Sequence, residues 1–240
     1  MHRSAPRLTR ILACAAVPVM LVVAGCSSDS GGEDKSSGSS SSSAASPDAK
    51  QSEATVAQAK FAKLPEPCKT IASKTITELV PKAKNKAGTA GSSSDTTARG
   101  SCSWNGLEDK GTKGSNYRWL DVSFLRYESD PGLGSGEKRA TDAYAKEIAK
   151  AEGTDGAKNV KTSPATGIGD QATSISYDLN KTGETFKYAT VVARTGNVVV
   201  TLGYNGAGYA GAKTPDAAAM MKSAVKAAKE AAASVAAANK

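Results

Sequence analysis

Apolar and polar positions alternate along part of this chain and recur at helical spacing along others. From Tyr117 to Tyr127 the alternation puts Leu120, Val122 and Phe124 on one side. Trp119, Asp121, Ser123 and Leu125 fall on the other, the period of two that a strand requires. Shorter strands are predicted over Ser101–Leu107, which carries Trp104, and over Ala172–Leu179. Thr185–Arg194 and Asn197–Tyr204 flank Thr195-Gly196 and read as a hairpin; Val191 and Val198–Val200 make this the strongest strand signal. Helical spacing appears three times. Thr75 and Glu78 have the spacing of a capping box, and Pro81 stops the helix, with Ile71, Ile76, Leu79 and Val80 toward the core. Glu137–Ala151 carries a stripe of Ala140, Ala143, Tyr144, Ile148 and Ala151, and Gly153 stops it. Thr214-Pro215-Asp216 opens a last helix whose buried face is Met220, Met221, Ala224, Val225 and Ala228. Short links make neighbouring strands antiparallel. The order predicts an α+β fold, a curved antiparallel sheet with helices packed on one face.

A different pattern precedes this domain. Arg3, Arg7 and Arg10 lead into an apolar run from Ile11 to Ala24, the shape of an export signal and shorter than the ~20 residues that span a bilayer. Val23-Ala24-Gly25-Cys26 resembles the lipobox of bacterial lipoprotein precursors. That resemblance implies a diacylglycerol on the Cys26 thiol and cleavage before Cys26, so residues 1–25 are a signal peptide. It places the protein on the extracytoplasmic face of the cell membrane, lipid-anchored. Residues 27–46 hold eleven serines, too little apolar surface to offset ordering entropy. Segment 26–60 therefore reads as a lipidated cysteine and disordered tether, and 61–240 as a single extracytoplasmic domain. Within the approach to the domain, Gln51–Lys63 has helix-compatible composition with few apolar residues.

Cleavage changes which chemistries remain. It removes three arginines and no acids, lowering the formal charge from +8 to +5, and it removes His2, the only histidine. Ser-His-Asp and Cys-His nucleophiles are thereby excluded, as are histidine metal sites. No Asp-x-Asp-x-Asp-Gly calcium run is present, and no cofactor or metal is expected. The residual positive charge lacks interleaved aromatics, so nucleic acid is not an expected partner.

Four cysteines are encoded. Cys14 leaves with the signal and Cys26 carries lipid. Cys68 and Cys102 remain, and in an oxidising compartment such a pair reads as a disulfide. The loop between them is odd: Lys82–Gly100 is rich in lysine, serine and glycine with almost no bulky apolar residue, and reads as an exposed, mobile excursion.

Pro67-Cys68, Gly100-Ser101-Cys102-Ser103-Trp104, Gly167-Ile168-Gly169-Asp170 and Arg194-Thr195-Gly196-Asn197-Val198 together resemble the actinobacterial lipoproteins of the DUF3558 type. The domain is more weakly similar to the extracytoplasmic sensor domains of mycobacterial Ser/Thr kinases. The resemblance spans about 65–235 and implies fold and location but no catalytic residue. Relative to it, 82–99 is an insertion.

Gly167-Ile168-Gly169-Asp170 has the look of a phosphate loop, but a strand follows it where a phosphate cradle needs a helix N-terminus, so it reads as a turn. Gly203–Gly211 is a glycine-rich run carrying Tyr204 and Tyr209. Two tyrosines on such a loop can stack on a sugar or flat ligand, or the run can be a plain link to the last helix. Trp119 lies on the less apolar strand face, where an exposed aromatic patch marks a partner site. Tyr204, Tyr209 and Trp119 are the candidate binding residues; no catalytic residue is assigned. The functional expectation is a non-catalytic binding, sensor or adaptor lipoprotein for an envelope component or protein partner. A carrier of lipid or another apolar ligand is the alternative, and a histidine-free hydrolase the third reading.

Overall fold

The computed structural model describes residues 56–240. The signal segment, Cys26 and the tether as far as residue 55 lie outside these described residues. Within them a seven-stranded antiparallel sheet runs β1 (Thr89–Ala90), β2 (Arg99–Asp109), β3 (Ser115–Arg126), β4 (Lys158–Pro164), β5 (Gln171–Lys181), β6 (Glu184–Thr195) and β7 (Val198–Tyr209). Three helices accompany it: α1 (Ser73–Leu79), α2 (Gly136–Glu152) and α3 (Ala217–Ala237). The spatial order β1-β2-β3-β7-β6-β5-β4 joins two meanders along β3 and β7. This is the expected α+β class. None of the helices among the described residues is long and apolar enough to cross a membrane.

Alternation settles what each face holds. Leu120, Val122 and Phe124 of β3, Ala189, Val191 and Ala193 of β6, and Val198, Val200 and Leu202 of β7 form the main core with α1 and α3. α3 meets them with Ala224, Ala227, Ala228, Ala231 and Ala232, all buried; side chains this short let the helix lie close on the strands. The intervening residues Val192 and Val199, with Ile175, Tyr177 and Leu179 of β5, face the other way and are covered by Ala140 and Ala143 of α2. The expected placement of helices on one face therefore holds for α1 and α3 only. The apolar stripe expected for α2 is present, but it seats against the opposite face. Its first turn is capped by Ser135, whose hydroxyl accepts from Lys138 N–H at 3.2 Å.

Several local expectations are replaced by longer-range contacts. Thr75 lies inside α1; its hydroxyl donates to Glu230 Oε1 at 2.6 Å, while Ala72 N–H donates to Glu230 Oε2 at 2.8 Å. A carboxylate from α3 thus stands where a local capping box was expected. α3 itself is capped by Asp216, which accepts from Ala219 N–H at 2.7 Å, two residues after Thr214. Residues 56–64 form no helix. This segment is strapped to the sheet end by Asn197, a fully buried residue whose amide accepts from Phe61 N–H at 2.8 Å and donates to Phe61 O and Tyr127 O.

The Cys68–Cys102 disulfide is formed. Trp104 lies buried in the same cluster as Cys102. The 82–99 loop is tied down over them: Trp104 Nε1 donates to Lys86 O at 3.3 Å, and Thr89–Ala90 pair with Cys102 and Ser103. A side chain at Gly88 would strike the Cys102 sulfur and the Trp104 ring. The first half of this loop is therefore a lid on the disulfide, in place of the expected free excursion.

Candidate functional site

α2 covers only part of its face of the sheet. Beyond it the strands present a floor of aromatic and amide side chains. One rung crosses five strands as Asn105, Trp119, Asn205, Tyr188 and Tyr177. Tyr177 and Tyr188 stack with centroids 4.8 Å apart and planes 8° from parallel. The adjoining rung holds Leu107, Tyr117 and Ala207. Phe186 stands edge-on to Tyr117 at 5.9 Å and to Tyr209 at 6.1 Å. Edge and stacked pairs of this kind lock ring orientations through their quadrupoles. Lys181 roofs one end, its ammonium 5.2 Å from the Tyr188 centroid and 2.8 Å from the Tyr188 hydroxyl, which raises the Lys181 pKa.

These residues enclose an open recess of about 500 Å³ lined by Tyr117, Trp119, Lys181, Phe186, Tyr188, Asn205 and Tyr209. A groove of about 380 Å³ adjoins it over Asn105, Leu107, Tyr117 and Tyr209. Leu107 is 49% exposed there, one of three large apolar side chains so exposed among the described residues. The floor of this face thus mixes aromatic rings with amides and a lysine and is open to solvent.

Next to the amide rung lies Asp121. It is mostly buried, accepts a hydrogen bond from Trp119 Nε1 at 3.0 Å, and burial lifts its pKa to about 6. Sequence reading placed Asp121 beside Trp119 without giving it a role. The available signal was the alternation of β3; what was missing was the register that sets it opposite Gly203.

The three expected binding residues part company. Trp119 and Tyr209 both line the open recess. Tyr204 does not: it is 6% exposed, points into the α3-side core, and donates its hydroxyl to Leu79 O at 2.8 Å. Gly203–Tyr209 is strand, not loop, so odd and even residues fall on opposite faces. The glycines are there for close approaches: a side chain at Gly206 would meet Tyr117 O at 2.6 Å, and one at Gly208 the backbone of Ala212 and Lys213. Tyr204 borders a smaller recess of about 220 Å³ with Glu78, Lys82, Glu108, Asn116 and Arg118. Two of its carboxylates are already engaged by lysines, Glu78 by Lys226 and Glu108 by Lys110.

Gly167-Ile168-Gly169-Asp170 is a turn, as expected. Ile168 is buried, and Asp170 accepts from Gly196 N–H at 2.7 Å and pairs with Arg194, so the turn clamps the β6–β7 hairpin. Among the described residues no group of three or more carboxylates, cysteines or histidines is placed to hold a metal ion.

The profile of the family described as "Protein of unknown function (DUF3558)" matches residues 21–181. The chain belongs to the DUF3558 family. The resemblance seen around Cys68, Cys102 and Trp104 falls within that match. Within the DUF3558 segment lie Asn105, Tyr117, Trp119, Asp121 and Tyr177; Phe186, Tyr188, Asn205 and Tyr209 lie beyond it. No curated protein matches the chain. Among solved structures, LpqN, involved in cell envelope biogenesis of Mycobacterium tuberculosis, shares 18% identity over 54% of this chain and 68% of its own, with a TM-score of 0.29.

Proposed function

We propose that this is a lipid-anchored, extracytoplasmic binding protein without catalytic activity, and that the aromatic face beyond α2 is where it takes an envelope component. The observation that carries this reading is the asymmetry of the sheet: one face is sealed by α3, whereas the other leaves Tyr117, Trp119, Tyr188 and Tyr209 lining an open recess. Rings that line an open recess and are fixed by their neighbours are preorganised for a flat ligand, which lowers the entropic cost of binding.

The place where the chain joins the domain supports the same role. Phe61 is fastened at Asn197, beside Tyr127. Tyr117 lies ten residues back along the same strand, roughly 33 Å at the usual rise. The chain therefore enters the domain at the end of the sheet remote from Tyr117, and residues 56–64 leave the aromatic end uncovered. Two acyl chains on Cys26 suffice for stable anchoring where one is marginal. The carrier alternative fits less well, because the alanine face of α3 lies directly on the β6 and β7 side chains in a continuous core.

Co-sedimentation of the full chain with delipidated, insoluble cell-wall material, which offers the acyl chains no bilayer to enter, tests this. The wild type is expected in the pellet, and a Trp119→Ala/Tyr188→Ala/Tyr209→Ala variant in the supernatant. Equal sedimentation of both would remove the aromatic face from the account.

A further inference from the structure

Two lysines border the open face without a carboxylate partner. Lys84 is exposed and lines the groove beside β2, where its backbone N–H donates to Asn105 O at 2.9 Å. Lys181 is exposed and lines the recess at the other side, over Tyr188. Among the described residues neither forms an ion pair. The groove and the recess share Tyr117 and Tyr209, so they adjoin along the sheet. Asp109, Asp121 and Glu184 belong to the same face by strand parity, yet they line neither of the two. Asp121 is held by Trp119, and Asp109 accepts from Gly111 N–H and the Ser115 hydroxyl. The path from Lys84 to Tyr188 crosses β2, β3 and β7 to reach β6, four strand spacings or roughly 19 Å. A cleft with charge of one sign at both ends draws ligands of the opposite sign.

We propose that this surface binds an acidic polysaccharide lying across the strands, with its sugar rings against Trp119, Tyr117 and Tyr209 and its acidic groups at Lys84 and Lys181. This rests on the binding role proposed above and names its ligand class. A ligand with a single charge meets only one of two lysines set so far apart, whereas a polymer with repeated acidic groups meets both. The rung between them alternates amide and ring as Asn105, Trp119, Asn205 and Tyr188. Rings take the C–H faces of sugars, and amides offer donors and acceptors to the hydroxyls. A lipid tail fits poorly, because Leu107 is the only aliphatic side chain among the lining residues. An acidic peptide needs a free strand edge or separate pockets for its side chains. Here β3, β7 and β6 are paired on both sides, and Lys84 already occupies the outer side of β2 at Asn105.

The test is binding of the full chain, in detergent micelles, to immobilised polygalacturonate and to its methyl ester, which keeps the backbone and removes the charge. Polyglutamate and glycerophosphoglycerol, the soluble headgroup of an anionic lipid, are the comparators. The wild type is expected to bind polygalacturonate about fivefold more tightly than the ester. That margin should vanish as salt is raised toward about 1 M. Lys84→Gln/Lys181→Gln should bind the two polymers alike; both side chains are exposed, and a thermal melt reports whether the variant folds. Equal binding of acid and ester by the wild type, or a margin that the lysine variant retains, overturns the acidic assignment and leaves the face's binding role standing. Preference for polyglutamate or glycerophosphoglycerol, or no polysaccharide bound, overturns the saccharide class. Polygalacturonate binding unchanged by Trp119→Ala and Tyr209→Ala places the failure in the binding face itself.

Discussion

The chain has two tryptophans, one toward each face of the sheet, and their surroundings differ in kind. Trp104 is 1% exposed, lies in the same core cluster as Cys102, and gives its indole N–H to the backbone of the 82–99 lid. Trp119 is only half-buried and gives its indole N–H to a carboxylate that has no ion-pair partner among the described residues. The first is surrounded by what stabilises a fold: apolar packing, a disulfide and a neutral backbone acceptor. The second has open space above it and a buried charge beside it. The same strand alternation produces both. The difference is that α3 seals one face with short side chains, whereas α2 stops short of the other.

That contrast is broken most forcefully on the sealed face. Trp104→Ala should cost about 3–5 kcal/mol in denaturant unfolding, by cavity formation and lost burial. Trp119→Ala should cost about 1 kcal/mol, since its ring already meets solvent. Similar losses for the two would mean that the open face is core after all. Opening the disulfide with Cys68→Ser/Cys102→Ser acts on the sealed face too. Freeing a crosslink of sequence separation 34 should cost about 3–4 kcal/mol in the chain-entropy account, read as a lower denaturant midpoint.

Asp121 sharpens the contrast from the other side, with the opposite sign. Its folded pKa of about 6 stands above the unfolded carboxylate value. Its contribution is therefore most favourable below the unfolded pKa, and is lost as pH rises toward and through about 6. Above that window Asp121→Asn should be more stable than the wild type by roughly 3 kcal/mol, with the gap closing toward about pH 4. The comparison with the variant matters because Glu78, Asp95, Glu108 and Asp178 shift downward and stabilise the fold as pH rises. An Asp121→Asn gap that does not change with pH would show that Asp121 is not held in the raised state.

Much of the fold was legible because its signals were local. Alternation gave β3 with the correct faces, the spacing of Ala140, Ala143, Tyr144 and Ile148 gave α2, and Thr195-Gly196 between valine-rich runs gave the β6–β7 hairpin. The cysteine arithmetic gave the disulfide. What stayed hidden depended on partners distant in sequence. β4 is exposed along its whole length and carries no apolar pattern; it exists because β5 offers an edge. The glycines of β7 look like a loop until Tyr117, Arg118 and Asp121 are placed against them. Glu230 replaces the local cap of α1 from 155 residues away. For the site, Trp119 could be picked out as an aromatic on the less apolar strand face, and Tyr209 as a ring in a glycine-rich run. Tyr204 could not be separated from Tyr209 until Gly203–Tyr209 was known to be strand, because only a strand assigns odd and even residues to opposite faces. Asp121 needed both the register and the knowledge of which face α2 leaves uncovered.

The two indole N–H resonances test the central claim most directly, in an NMR titration of the full chain with solubilised envelope polysaccharide. The account predicts that the Trp119 signal, with the amides of Asn105, Tyr188 and Asn205, shifts on ligand addition while the Trp104 signal stays in place. Movement of the Trp104 signal with Trp119 unchanged would contradict it and move the binding site to the sealed face.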